Sequence, residues 1–159
     1  MIIEYEKKYD ESVKDLLVEL QEHVAILDKY GYNIIGENFR EEYFKKTIDE
    51  VKQYDGKIFL YEENGNIVGL IVGVINNEEI ESYDFKAPKR GRITEFIVSS
   101  KVRSTGIGKK LIAKMEEYFK EVGCKDVVLG VFAPNIKALK FYEREGYENR
   151  MFDLSKKIT

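Results

Sequence analysis

Two periods alternate along this chain. Between Glu11 and Tyr30 the apolar residues Val13, Leu16, Leu17, Leu20, Val24 and Leu27 fall three and four apart, the spacing that turns one face of a helix toward a core. Glu41 to Tyr54 repeats that spacing with Phe44, Ile48 and Val51. Thr105 to Val122 repeats it most fully, with Ile107, Leu111, Ile112, Met115, Phe119 and Val122. A fourth helix is predicted over Asn135 to Glu145, opened by an asparagine, a favoured N-cap, and closed by Gly146 as a left-handed cap. The remaining apolar segments are short and predict strands: Ile2 to Tyr5, Lys57 to Glu62, Ile67 to Ile75, Arg92 to Val98, Asp126 to Phe132 and Tyr147 to Leu154. Asn64-Gly65, inside the turn 63–66, marks a hairpin between the second and third. Tyr30 to Phe39 and Asn76 to Arg90 are polar and read as loops. The order predicts a single domain over 1–159, with one mixed sheet and helices on both faces.

Composition narrows the chemistry. The 159 residues suit one substantial core, and 43% hydrophobic with 35% charged residues is ordinary globular usage. A net charge of −3 with no Lys/Arg-rich block argues against nucleic-acid binding. The longest apolar run, Ile67 to Ile75, is too short to span a bilayer. The first residues, interrupted at once by acidic side chains, do not read as a signal peptide. Cys124 is the only cysteine, so no internal disulfide forms and a reducing, cytoplasmic setting is expected. His23 is the only histidine, too few for a zinc site or a histidine-based triad, and no metal is expected.

The chemistry-bearing segment is Arg103-Ser104-Thr105-Gly106-Ile107-Gly108. It joins a predicted strand to a predicted helix. A helix start leaves backbone N–H groups unpaired at the positive end of the helix dipole, where a phosphate or pyrophosphate binds. Gly106 and Gly108 let an anion approach the main chain closely. The other phosphate loops fit badly. A dinucleotide fingerprint wants glycine where Leu111 stands; a Walker loop wants glycine at Arg103 and Ser or Thr at Lys110. A plain glycine-assisted turn is the alternative on this segment alone.

A second segment adds specificity: Asn135, Ala138, Phe141, Tyr142, Gly146 and Tyr147, in the pattern Asn-x-x-Ala-x-x-Phe-Tyr-x-x-x-Gly-Tyr. With Arg103-x-x-Gly106-x-Gly108 upstream, the stretch from Ile93 to Tyr147 resembles the GNAT superfamily of acyl-CoA-dependent N-acetyltransferases; the N-terminal part matches only in element order. The resemblance implies an α/β (α+β) fold, a mixed, mostly antiparallel twisted sheet of about six to seven strands with about four helices. It implies acetyl-CoA as cosubstrate, its pyrophosphate on the backbone of Arg103, Ser104, Thr105, Gly106, Ile107 and Gly108. Arg103, Lys109 and Lys110 either add positive charge there or are solvated side chains of the helix entrance.

The resemblance also implies that the strand ending at Ile97 and Val98 splays from its neighbour and pairs with the pantetheine arm, against the plain reading of ordinary sheet pairing. Asn135 would cap its helix through the Ala138 N–H and also meet the cofactor arm. Ala138 and Tyr142 share a helix face near the thiol, with Phe141 packed beside them. Tyr142 is the expected general acid, since a phenol is protonated at neutral pH; its alternative is packing. Glu95, a carboxylate inside a covered strand, is the candidate general base, or else it pairs Arg92 or Lys101 at the sheet edge.

The activity implied is direct attack of a primary amine on the thioester in a ternary complex, with an acceptor that is a small molecule or a peptide or protein amine. The alternatives are a non-catalytic acyl-CoA sensor or scaffold and a phosphate loop for another nucleotide. His23, Tyr30, Tyr32 and Glu37 fall in the acceptor region of that superfamily. Glu78, Glu79, Glu81 and Asp84 either attract a cationic amine or form a solvated loop face. Cys124 reads as structural, and a homodimer is compatible with the superfamily.

Overall fold

The computed structural model describes residues 1–76, 83–84, 86–102 and 106–158. Five strands form one sheet in the order β1 (Ile2–Glu4), β2 (Lys57–Glu63), β3 (Asn66–Asn76), β4 (Arg90–Val98), β5 (Asp126–Leu129). The first four are antiparallel to their neighbours; β4 and β5 are parallel. The β2–β3 turn is the predicted hairpin, with φ of +51° at Asn64 and +78° at Gly65, both in the left-handed region that such a tight turn requires.

Helices α1 (Asp10–Leu27) and α2 (Phe39–Gln53) cover one face. There Val13, Leu16 and Leu17 meet Ile58, Leu60, Leu70, Val72 and Ile97. Helices α3 (Ile107–Glu121) and α4 (Ile136–Arg144) are on the other, where Ile107, Leu111, Ile112, Met115 and Phe119 meet Phe59, Ile71, Ile75 and Ile93. The near-continuous apolar run of β3 follows from this, since both its faces are covered. α3 comes close enough that a Cβ on Gly91 would stand 2.3 Å from the Phe119 ring.

Three differences from the expectations exceed two residues. α1 stops at Leu27, because the Asp28 carboxylate takes the N–H groups of Tyr30, Tyr32 and Asn33 and turns the chain into a closed loop. β5 ends at Leu129, three residues short of Phe132. The sixth strand, expected over Tyr147 to Leu154, is not formed, so among the described residues the sheet has five strands, fewer than the six or seven expected. Tyr147 is held instead by an edge-to-face contact with Tyr142 and by donating to Glu116 at 2.8 Å. The segment after it leaves Met151, Phe152 and Leu154 exposed and accepts a hydrogen bond from the Tyr30 hydroxyl at the Ser155 carbonyl, 2.9 Å. The outer edge of β5 has no neighbour among the described residues, so apolar alternation alone does not bring this segment into the sheet.

Candidate active site

The site exists because β4 and β5 part. Their register runs from Arg90↔Asp126 to Ile93↔Leu129 and stops. At its start Arg90 clasps Asp126 with two bonds, 2.9 and 2.8 Å, which anchor the pair. At its end β4 carries a bulge: Ile93 faces Gly73 and Glu95 faces Val72, leaving Thr94 as the extra residue. A bulge bends its strand, and here β4 continues from Thr94 to Val98 as one wall of a cleft whose other wall begins at Leu129 to Phe132. The splay that the sequence alone left open is therefore present. The Thr94 hydroxyl is buried and has no hydrogen-bond partner among the described residues.

The cleft has a volume of about 830 Å³ and reaches from α1 and α2 to the start of α3 and along α4. At the α3 end, Gly106 adopts φ +79° as the N-cap residue. A Cβ there would meet nothing within 4 Å, so the approach to the backbone is open. The N–H groups of the first turn, from Ile107 to Lys109, have no acceptor within the helix and lie beside the cleft. The Ile107 side chain belongs to the core, leaving only its backbone for a ligand. Gly108 gives Phe96 and Phe141 room to stack, with ring centroids 5.7 Å apart. Lys109 is mostly exposed, 4.0 Å from Glu145. Lys110 lies over Tyr61 instead, outside the cleft lining. Arg103, Ser104 and Thr105 lie outside the described residues, as do Glu78, Glu79 and Glu81.

Along α4, Asn135 accepts from the Ala138 N–H at 3.2 Å, the cap that its position predicts. Asn135, Ala138, Phe141 and Tyr142 all line the cleft. Tyr142 is 8% exposed and ringed by Phe96, Phe141 and Tyr147 at 6.0, 5.4 and 5.6 Å. No side chain among the described residues bonds its hydroxyl. Burial pushes its proton affinity up, so it remains a phenol throughout the physiological range.

Glu95 sits at the other end, on the α1–α2 side. It pairs with neither Arg92 nor Lys101. Its partner is Tyr43 of α2, whose hydroxyl donates to Glu95 Oε1 at 2.6 Å across 52 residues of sequence. Burial raises the Glu95 carboxyl to about 7, and the Tyr43 bond partly opposes that rise. Tyr43 lines the cleft and had no signal in the sequence: it lies on a helix whose apolar stripe is Phe44, Ile48 and Val51, one residue out of step. His23 also lines the cleft, with Leu20, Gln21 and Val24. Tyr30, Tyr32 and Glu37 do not; Tyr30 and Tyr32 stack on each other with Lys157 over both rings. Asp84 is exposed, and Cys124 is half-buried outside the cleft lining, its thiol pushed up by burial. Among the described residues no cluster of His, Cys, Asp or Glu suits a metal ion, and no helix is long and apolar enough to cross a membrane.

Known proteins share this architecture. The model of the acetyltransferase (GNAT) family matches residues 21–147. A glucosamine 6-phosphate N-acetyltransferase of Arabidopsis thaliana is 28% identical over 136 residues, covering 83% of this chain and 87% of that protein. An uncharacterized N-acetyltransferase of Methanocaldococcus jannaschii, MJ1530, is 32% identical over 98 residues, 61% of this chain; the match spans only 56% of that relative's length. Among solved structures, the aminoglycoside N-acetyltransferase AAC(6')-Iy in complex with CoA superposes with a TM-score of 0.72 at 15% identity, over 99% of this chain and 95% of the other, a likeness of fold.

Proposed function

Because the chain belongs to the acetyltransferase (GNAT) family, we propose that it transfers the acetyl group of acetyl-CoA to a primary amine by direct attack in a ternary complex. The observation that carries this reading is the single cleft that has an open helix start at one end and Glu95 at the other, with Tyr142 on its wall. A phosphate group suits the first turn of α3, where Gly106 leaves the backbone accessible and the dipole favours negative charge. From there the wall of Ile97 and Val98 is the stretch of strand that a pantetheine arm would follow, with Asn135, Ala138 and Phe141 opposite.

The residues then divide the proton work. Glu95, poised near 7, takes a proton from the arriving alkylammonium, whose ordinary pKa is about 10, and frees the lone pair for attack on the thioester carbonyl carbon. The new C–N bond replaces the C–S bond. The bonded nitrogen sheds its second proton to the medium, Tyr142 gives its proton to the departing thiolate and recovers one from the medium, and Glu95 releases the proton it took, so one proton is released per turnover. Neither residue forms a covalent bond, so the rate comes mainly from holding two substrates in contact. The acceptor is an amine class: the Arabidopsis relative is named for glucosamine 6-phosphate, and the CoA-bound structural neighbour for aminoglycosides.

The test is free-thiol release from acetyl-CoA with and without polyamines, amino sugars, aminoglycosides, amino acids and short peptides. Amine-dependent release establishes the transferase and names its acceptor class. Tight CoA binding with no release for any amine would favour a non-catalytic acyl-CoA module.

A further inference from the structure

The acidic end of the cleft contains a contact that proton transfer by Glu95 does not by itself require. Tyr43 reaches Glu95 from α2, a separate element whose only fully buried side chain is Thr47. α2 packs Phe44, Ile48 and Val51 against the α1 side of the core and is also tied to α1 through Arg40 with Glu11 and Asp15 and through Lys14 with Glu41. The Tyr43 ring is set by two contacts of its own, stacking on Phe39 at 4.8 Å and 16° and lying 5.3 Å below the Lys46 ammonium. The Thr47 hydroxyl bonds back to the Tyr43 carbonyl at 2.9 Å. The phenol is therefore aimed before any ligand arrives.

We propose that Tyr43 is the positioning residue of the proton acceptor: its hydroxyl fixes one oxygen of Glu95 and stabilises the charged carboxylate, so that the second oxygen is presented to the acceptor's ammonium. This deepens the transferase reading and rests on it. The physical need is specific. A half-buried carboxylate beside apolar neighbours takes up a proton, and a protonated Glu95 accepts none from substrate. A phenol donating to it offsets part of that penalty without supplying a competing positive charge. The acceptor ammonium can then approach a group that is still anionic near neutral pH.

The surroundings are compatible with this. From α2, Glu50 opposes the carboxylate charge and Lys46 favours it. β3 contributes the apolar Val72 as the register partner of Glu95, and β4 itself carries Arg92 three residues away. Along the cleft stand His23 of α1, Lys109 of α3 and Tyr142 of α4. Tyr43 is the one side chain that hydrogen-bonds Glu95 among the described residues.

Tyr43→Phe removes one oxygen and keeps the ring against Phe39. The carboxyl of Glu95 is followed by 13C NMR in the unliganded protein, and kcat/KM for amine acetylation is measured from pH 6 to 9.5. The expected result is a Glu95 titration displaced upward by about one pH unit. The acid limb of the rate profile moves with it, giving about tenfold lower kcat/KM at pH 6.5 and a rate close to the parent at pH 9. In a Glu95→Gln background the same change has no pH-dependent effect. A carboxyl titration that does not move, or a loss of rate equal at every pH, would overturn the proposal and leave Tyr43 a packing residue. If no amine is acetylated at all, the transferase reading fails instead, while the NMR titration still reports on the Tyr43–Glu95 bond.

Discussion

Replacing Glu95 by glutamine exposes what this carboxylate costs the fold. In the unfolded chain it titrates at its ordinary value of 4.5, and in the cleft at about 7, with desolvation as the main cause. A carboxyl whose folded value is raised binds more protons in the native state than in the unfolded one across that interval. Native stability therefore falls as pH rises from 4.5 to 7 and stays reduced above it. Two and a half pH units at about 1.36 kcal/mol each come to roughly 3 kcal/mol at full effect. Glutamine is neutral throughout and still accepts from the Tyr43 hydroxyl. The expected outcome is that Glu95→Gln and the parent protein differ by a fixed amount near pH 4.5, and that the variant then gains about 2–3 kcal/mol on the parent by pH 8. Urea denaturation at pH 4.5, 6 and 8 and constant ionic strength reads this directly. Any fixed cost of seating the amide cancels in the comparison across pH. A stability difference that does not change with pH would refute the reasoning, because Glu95 would then titrate alike in both states. The stabilised variant is expected to lose acetyl transfer near neutral pH and to regain part of it only where the amine arrives already deprotonated. Stability given up at a working residue is a common feature of functional sites.

Three further outcomes follow from the same geometry. Tyr142→Phe is expected to lower kcat by about 10²-fold while leaving KM for acetyl-CoA nearly unchanged, since only the proton donor is lost; unaltered kcat would make Tyr142 a packing residue. Gly106→Glu places a carboxylate at the open helix start and forces an L-residue to φ +79°, so CoA should no longer raise the melting temperature; an unchanged shift with CoA would remove the anion site from α3. Gly91→Ala drives a methyl group into the Phe119 ring and should cost about 1–3 kcal/mol by chemical denaturation; a neutral result would mean that α3 moves aside freely.

How much of this was legible in advance depends on the range of the interaction involved. The stripes of α1 and α3, the Asn64-Gly65 hairpin and the Asn135 cap all act within a few residues, and each is found where the sequence places it. The early end of α1 was also local, but its signal was an aspartate collecting three N–H groups, which competes with the apolar stripe continuing to Tyr30. Segment 147–154 has strand-like composition and no strand, because whether it pairs with the open edge of β5 is a contact between distant segments that local composition does not decide. Glu95 was suspect from its place inside a covered strand, yet its partner was not among the residues near it in sequence.

The sequence by itself determined the helix periods, the hairpin, the glycine turn before α3 and the two motifs that mark the family, since each is written in residues within a turn or two of one another. The tertiary structure decided the rest. It parted β4 from β5 beyond Ile93 and Leu129, through a bulge at Thr94 that only strand register reveals. It brought Tyr43 to Glu95 across 52 residues, and it placed Gly106, Tyr142 and Glu95 around one cleft. Those are contacts between elements, and their geometry is set by how two layers of helices pack on a twisted sheet.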